Sequence, residues 1–181
     1  MEQITYVVFL RGINVSGQKK ISMASLRDLC EILGLHDVKT YIQSGNNVFK
    51  SSQNNTSVVE TLLMEGIQNQ FGFDVPVLVK TPAQLKDVMD LNPFTNKEDL
   101  DDNKVYFVLL KGIPNIDLVQ KLQEESFVHE EFTIVNECVY LNCKIGYGKA
   151  KLNNNMIERK LKVIATTRNY RTMNKLVEMF E

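Results

Sequence analysis

The sequence predicts an α+β fold made of two copies of one βαββαβ unit, and three observations carry that prediction. First, the apolar stretch that runs from Tyr6 to Asn14 returns one hundred residues later between Tyr106 and Pro114. Second, each copy is followed by the same order of strand and helix patterns. Third, an extra helix pattern follows the last strand of both copies. Since βαββαβ is the order of the ferredoxin-like unit, we expect a duplicated ferredoxin-like fold with antiparallel sheets and a trailing helix after each unit.

The first copy begins with the continuous apolar run Ile4–Leu10, which is typical of a buried strand. Ser57 and Glu60 have the spacing of a capping box at the start of the second helix, and Thr81 and Gln84 have it at the start of the extra helix. A helix with apolar residues at helical spacing is predicted after position 22, and the remaining strands are predicted at 38–44, 48–51 and 75–80.

The second copy repeats this order from Val105–Leu110 onward. Asn136-Glu137 predicts a hairpin turn between strands at 132–135 and 139–143, and a short fourth strand is predicted at 163–166 before the final helix. The acidic stretch 95–103 has no periodicity and indicates a linker. The predicted domains are therefore 1–94 and 104–181, each a ferredoxin-like unit with its trailing helix.

The central strands are apolar on both faces, because Val7 and Phe9 alternate with Tyr6 and Val8. A sheet with one solvated face would instead alternate apolar and polar residues. We therefore expect the second face of each sheet to be covered by the trailing helices, by the partner unit or by a second subunit.

The composition is that of an ordinary globular protein without a dominant charge. The formal net charge is −1, so an anion site would have to be a local patch. No apolar run approaches the length of a membrane span, and the first strand reaches Arg11 too soon for a secretory signal. The three cysteines, Cys30, Cys138 and Cys143, are expected to be reduced thiols, which indicates a cytoplasmic protein. Neither of the two histidines lies at metal-ligand spacing, so we expect no metal and no cofactor.

A first group of polar residues is predicted where the first strand meets the hairpin. In a βαββαβ unit the first and second strands run parallel with the third between them, so the end of the first strand lies beside the hairpin turn. The resulting first polar cluster contains Arg11, Asn14, Gln43, Ser44 and Asn46. The structural alternative is that these residues form only a strand exit and a Gly-Asn turn, and the recurrence of the strand exit in the second copy favours it.

A second polar cluster is predicted in the second copy, where the third and fourth strands run parallel; it contains Tyr147, Lys149, Lys151, Thr167, Arg168 and Asn169. Asn169 can cap the last helix, which would place Thr167 and Arg168 at a helix N-terminus that favours an anion. The guanidinium fork of Arg168 and the two lysine charges suit phosphate or carboxylate. The structural alternative is that Asn169 only caps the helix and Arg168 pairs with a carboxylate.

Four strings occur in order over the chain: Phe-Leu-Arg-Gly-Ile-Asn-Val at 9–15, Tyr-Ile-Gln-Ser-Gly-Asn at 41–46, Tyr-Gly-Lys-Ala-Lys-Leu at 147–152 and Ala-Thr-Thr-Arg-Asn-Tyr at 165–170. With these strings the chain resembles a bacterial domain-of-unknown-function family, family 1697. The resemblance implies a duplicated ferredoxin-like fold and no assigned activity. Three residues depart from the family pattern: Ser16 stands where a second Gly is typical, Asn47 where an apolar residue is typical and Tyr170 where Trp is typical.

From the two clusters we expect a protein that binds an anionic ligand, such as a nucleotide, phosphate or nucleic-acid phosphate, between the two units. Two alternatives stay open. An enzyme could use the same cleft, with Arg168 as charge stabiliser and Tyr147 or Ser44 as acid or nucleophile, although no residue pair has the spacing of a known catalytic set. A protein-interaction or homodimerisation module would use the two-faced sheets. No membrane partner is expected.

Overall fold

The computed structural model describes residues 3–181 and contains two four-stranded antiparallel sheets with helices. The strand order is β2-β3-β1-β4 in the first sheet and β6-β7-β5-β8 in the second. The two sheets have matching orders and matching antiparallel pairings, so the duplicated ferredoxin-like α+β fold predicted from the repeat is confirmed.

The chain divides into two compact units. The first contains residues up to Asp87 together with Lys175–Glu181, and the second contains Val88–Asn174. The elements from the first strand to the first trailing helix are β1 Ile4–Leu10, α1 Met23–Ile32, β2 His36–Tyr41, β3 Asn46–Ser51, α2 Thr56–Phe71, β4 Val77–Lys80 and α3 Pro82–Asp90. They are followed by α4 Lys97–Asp101, β5 Val105–Leu110, α5 Ile116–Gln123, β6 Glu130–Val135, β7 Cys138–Cys143, α6 Asn154–Leu161, β8 Ala165–Asn169 and α7 Tyr170–Phe180.

In the first unit α1 and α2 pack against one face of the sheet. Val8 and Leu10 of β1 share an apolar core with Leu26 of α1 and with Leu63 and Ile67 of α2. Because all five side chains are at most 1% exposed, hydrophobic burial is the main stabilising contribution here. Sequence periodicity therefore placed the helices correctly on this face.

The second unit repeats this packing with α5 and α6. Val108 and Leu110 of β5 share a core with Leu122 of α5 and with Ile157 and Leu161 of α6. The other face of each sheet is buried as well, as the sequence predicted: Val7, Phe9, Phe107 and Leu109 are all 0% exposed.

A glutamate at the fifth position of α2 and of α6 binds the edge strand of its own unit. Glu60 accepts a hydrogen bond from the backbone N–H of Val79 at 3.0 Å, and Glu158 accepts one from Ala165 at 2.8 Å. Edge strands present N–H groups that have no strand partner, and a carboxylate satisfies such a group strongly. The predicted capping box of Ser57 and Glu60 is thus wrong. Asn55 caps α2, and Glu60 belongs to the sheet.

Several predicted strand boundaries differ from the observed ones: β2 is His36–Tyr41 rather than 38–44, and β4 begins at Val77 rather than at 75. In the stretch 95–103, Asn96 caps the short helix α4 and Asp99 accepts a hydrogen bond from Asn142 at 2.8 Å. Strand β8 is longer than predicted at its end, running through Asn169, so that α7 follows it directly. Within residues 3–181 no helix is long and apolar enough to cross a membrane.

Candidate functional site

The first polar cluster comes together as predicted, but its side chains hold the loops to each other. The Asn14 amide donates to the carbonyl oxygens of Ile21 and Gln43, both at 2.8 Å. Its Oδ1 accepts the N–H of Ile21 at 2.9 Å. All three hydrogen bonds go to backbone groups, so Asn14 is a structural joint between the strand exit and the hairpin.

The hairpin residues of this cluster have the same role. Asn46 is the first residue of β3 rather than a turn residue; it is fully buried, and its amide donates to Tyr41 O at 3.1 Å and to Ser44 Oγ at 2.9 Å. Gly45 has φ +78, and a Cβ there would lie 2.6 Å from Cβ of Leu10. Only glycine fits such a position, which explains the Gly-Asn pair structurally.

Arg11 and Gln43 complete the first cluster. The backbone N–H of Arg11 donates to Pro76 O at 3.0 Å, which ties the strand exit to the chain before β4, and the residue is half-buried. Gln43 is exposed, and its carbonyl oxygen receives the Asn14 amide. The hydrogen bonds of this cluster therefore hold the strand exit and the hairpin turn in place.

In the second cluster Tyr147 and Thr167 are joined through their hydroxyl groups. The Tyr147 hydroxyl donates to Thr167 Oγ1 at 3.0 Å and accepts the backbone N–H of Asn154 at 2.9 Å. Thr167 Oγ1 in turn donates to Asn154 Oδ1 at 3.0 Å. The Tyr147 ring stacks on Tyr106 with a centroid distance of 4.7 Å. This network holds the glycine-containing loop against β8 and fixes the first residue of α6.

Asn169 caps α7 as predicted, since its Oδ1 accepts the N–H of Thr172 at 2.8 Å. Arg168 does not lie at an open helix terminus. It belongs to strand β8, where it lies opposite Phe107 of β5, and it is only 9% exposed. Its Nη1 donates to Thr166 Oγ1 at 2.8 Å and to Thr167 O at 2.9 Å. Burial lowers the pKa of the guanidinium to about 10, which leaves it charged at neutral pH.

Lys149 and Lys151 are the exposed members of the second cluster. Their loop is held by Glu130 of β6, whose Oε1 accepts the N–H of Lys151 at 2.9 Å and whose Oε2 accepts that of Leu152 at 2.7 Å. Glu130 is 8% exposed, so these are buried, charge-assisted hydrogen bonds. The carboxylate fixes the backbone from which the two lysine side chains leave.

A cleft of about 440 Å³ opens beside this loop, lined by Lys151, Asn153, Asn155, Met156 and Arg159; we call it the α6 cleft. It contains two cationic residues, two amides and no carboxylate. Of its lining residues only Lys151 was predicted from the sequence. A local charge count would have found Arg159: residues 144–162 include six basic residues, Lys144, Lys149, Lys151, Arg159, Lys160 and Lys162, and one acidic residue, Glu158.

A larger cavity of about 680 Å³ lies in the first unit beside β2 and the end of α7. Its charged lining residues are Glu31, Asp37, Lys39, Lys50 and Glu181, and Lys50 pairs with Asp37 at 2.7 Å. The two signs of charge are mixed, so this cavity does not select an anion.

Two of the cysteines are unsuited to nucleophilic catalysis. All three thiols are buried, and burial raises the pKa of Cys30 and of Cys143 to about 12. A nucleophilic cysteine needs the opposite shift, because the thiolate is the reactive form. Among the residues that the structure describes, no group of three or more His, Cys, Asp or Glu side chains could hold a metal ion.

Comparisons with known proteins bear on the fold and on the family. The structure of conserved bacterial protein SP0830 from Streptococcus pneumoniae is similar to this chain, with a TM-score of 0.74 and 21% sequence identity over 99% of this chain and 100% of that one. At this identity the likeness shows the fold alone. No curated protein matches the sequence. The family model described as "Protein of unknown function (DUF1697)" matches residues 4–140, which is well over half of the chain. This chain therefore belongs to the DUF1697 family of proteins of unknown function.

Proposed function

We propose that this protein binds an anionic ligand bearing phosphate or carboxylate groups, and that the ligand is held at the α6 cleft of the second unit. The observation that carries the proposal is the charge of that cleft. Lys151 and Arg159 line it, both are exposed, and the cleft has no carboxylate in its lining. An anion entering the cleft therefore meets charge of one sign.

The lining residues complement an anion chemically. The guanidinium of Arg159 offers paired N–H donors to two oxygens of one phosphate, and Lys151 adds a mobile point charge. The side-chain N–H groups of Asn153 can donate further hydrogen bonds, while its Oδ1 accepts the N–H of Met156. The cleft lies at the positive end of the α6 dipole, which adds a small favourable contribution.

The predicted cluster residues support this cleft in different ways. Lys151 supplies charge in its lining, Lys149 lies on the same loop outside the lining, and Tyr147 and Thr167 anchor the loop and the start of α6. Asn169 and Arg168 position β8 and α7. The hydrogen bonds of Asn14, Ser44 and Asn46 support a structural role for the first cluster.

An enzyme of the kind considered from the sequence has less support. The Tyr147 hydroxyl is hydrogen-bonded to both Thr167 and Asn154, and the Ser44 hydroxyl accepts a hydrogen bond from the Asn46 amide. An amide N–H cannot serve as a general base for a serine nucleophile. Binding is therefore the function that the contacts favour.

The test compares two double variants with the same change in charge. Lys151→Gln with Arg159→Gln removes the cations of the cleft, whereas Lys97→Gln with Lys121→Gln removes two exposed lysines of the second unit on α4 and α5. Calorimetric titration at low salt would use pyrophosphate, nucleoside triphosphates and a dicarboxylate. We expect the control to bind at least one of these anions like wild type and the cleft variant to lose at least tenfold in affinity. Equal affinities of the two variants, or no binding of any anion to wild type, would overturn the proposal.

A further inference from the structure

We propose that the ligand of the α6 cleft is a strand of nucleic acid, bound through several consecutive phosphates of its backbone. This inference rests on the proposed function, and it adds the polymeric nature of the ligand. It comes from cationic residues that continue past both sides of the cleft. Lys149 precedes the cleft in the loop, and Lys162 follows α6 at its C-terminal end.

The exposed face of α6 presents polar and cationic groups in a row. Asn155 and Arg159 are four residues apart on one side of α6, Lys162 follows the helix as its left-handed C-cap, and all three are exposed. From Asn155 to Lys162 the helix rises about 10 Å, at 1.5 Å per residue. One phosphate cannot contact both ends of this row, whereas phosphates of a nucleic-acid strand recur at intervals short enough to meet each cation.

Four carboxylates of the second unit have partners other than the cations of this row. Glu125 pairs with Lys160, and Glu131 pairs with Lys144. Glu130 accepts two loop N–H groups, and Glu158 accepts the N–H of Ala165.

The remaining exposed cations of residues 144–162 are Lys149, Lys151, Arg159 and Lys162, and in the described part of the chain none of the four forms a salt bridge. Four exposed cations on one stretch of a chain with net charge −1 form a local basic surface that can bind a polyanion.

The surface favours nucleic acid over an anionic membrane. A helix that lies on a membrane presents an apolar face to the lipid. The apolar residues of α6 face inward instead: Ile157 and Leu161 are buried in the core of the second unit. Binding through phosphates, without a row of exposed aromatic rings, would be insensitive to base sequence.

The experiment uses variants outside the α6 cleft. Lys149→Gln removes one charge, and Lys162→Asn removes another while keeping a residue type that tolerates the left-handed backbone, where Lys162 has φ 58. The full-length protein is titrated by fluorescence anisotropy with single-stranded oligonucleotides of two unrelated sequences at several salt concentrations. Pyrophosphate binding is measured in parallel by calorimetry, and inorganic polyphosphate is used as a competitor.

We expect the double variant to bind both oligonucleotides several-fold more weakly than wild type. The slope of log K against log salt should become less steep by about 0.7 for each lost phosphate contact, and pyrophosphate affinity should stay unchanged. Unchanged oligonucleotide affinity and slope, with pyrophosphate still bound at the cleft, would overturn the polymer inference and leave the proposed function intact. If polyphosphate binds more tightly than either oligonucleotide, the assignment to nucleic acid is wrong. Failure of every anion to bind would overturn both proposals.

Discussion

Two neighbouring asparagines of β3 are both buried but differ in their hydrogen bonds. Asn46 is 0% exposed, and its amide donates to Tyr41 and Ser44. Asn47 is 1% exposed and lies opposite Val8 on the core face, and its Oδ1 has no hydrogen-bond partner among the described residues. An unsatisfied buried amide oxygen destabilises the folded state, so an apolar residue should be more stable at this position.

We therefore expect Asn47→Val to raise the free energy of unfolding by about 1 kcal/mol, because it removes an uncompensated polar group from the core. Asn46→Val is the matched control, and it should lower the free energy of unfolding by about 2 kcal/mol, because it leaves buried partners unsatisfied. Urea denaturation monitored by circular dichroism measures both. A loss of stability in Asn47→Val as large as that in Asn46→Val would contradict this view of the site.

Ser16 lies at a position where backbone geometry matters. Ser16 and Gly17 have φ of 50 and 75, and Val15 and Gln18 pair across them, which defines a type I′ turn. A left-handed conformation costs an L-residue about 1 kcal/mol, and glycine avoids that cost.

Ser16→Gly should stabilise the protein by about 0.5 kcal/mol, since the relief of strain exceeds the added entropy of the unfolded chain. Ser52→Gly is the control, because Ser52 is exposed and has no positive φ. It should lose about 0.5 kcal/mol. Denaturation midpoints of the two variants decide the matter, and a shift of both in the same direction would refute the strain at Ser16.

At the scale of elements, Glu130 connects β6 to the loop that carries Lys149 and Lys151. Glu130→Ala leaves the buried N–H of Leu152 and the partly buried N–H of Lys151 without an acceptor and should lower the free energy of unfolding by about 3 kcal/mol. The amides of Lys151 and Leu152 should then exchange hydrogen much faster. Glu131→Ala is the neighbouring control, because Glu131 is 53% exposed and pairs only with exposed Lys144; it should change stability by about 0.5 kcal/mol. Hydrogen exchange that stays protected at Lys151 and Leu152 in Glu130→Ala would show that the carboxylate does not hold the loop.

The elements also show what the sequence could predict. The bounds of β1 and β5 are confirmed, because a continuous apolar run followed by glycine leaves few alternatives. The end of β8 was missed, because Thr166–Asn169 are polar residues whose burial depends on pairing with β5. Glu60 has the spacing of a capping box, but its carboxylate accepts a hydrogen bond from Val79 of β4. That partner is set by the tertiary fold and cannot be predicted from local spacing.

For the candidate site, the sequence predicted the loop but not the helix beside it. Asn14 meets Gln43, and Tyr147 meets Thr167, because strand directions in a βαββαβ unit bring these segments together. Arg159 has no motif of its own, and its place beside Lys151 depends on the turn between the loop and α6. Arg168 was predicted to lie at a helix N-terminus that favours an anion, whereas it belongs to β8 opposite Phe107 and is buried.

At the scale of the whole molecule, duplication supplies two similar scaffolds whose surfaces differ. The corresponding helices differ in charge: α2 contains Glu60 and Glu65 and no basic residue, whereas α6 contains Arg159 and Lys160. Their shared features, including the glutamate that binds the edge strand, belong to the scaffold. The basic residues of α6 have no counterpart in α2, and a function that resides on α6 should use the second unit.

One measurement tests this central claim most directly, namely a two-dimensional amide NMR titration of the full-length protein with pyrophosphate at low salt. If the second unit carries the site, amide shifts should change first and most for residues 149–159, with saturation at a single affinity, and those of α2 at 56–71 should stay unchanged. Shift changes that are confined to the first polar cluster, or spread evenly over both units, would contradict the assignment of anion binding to the α6 cleft.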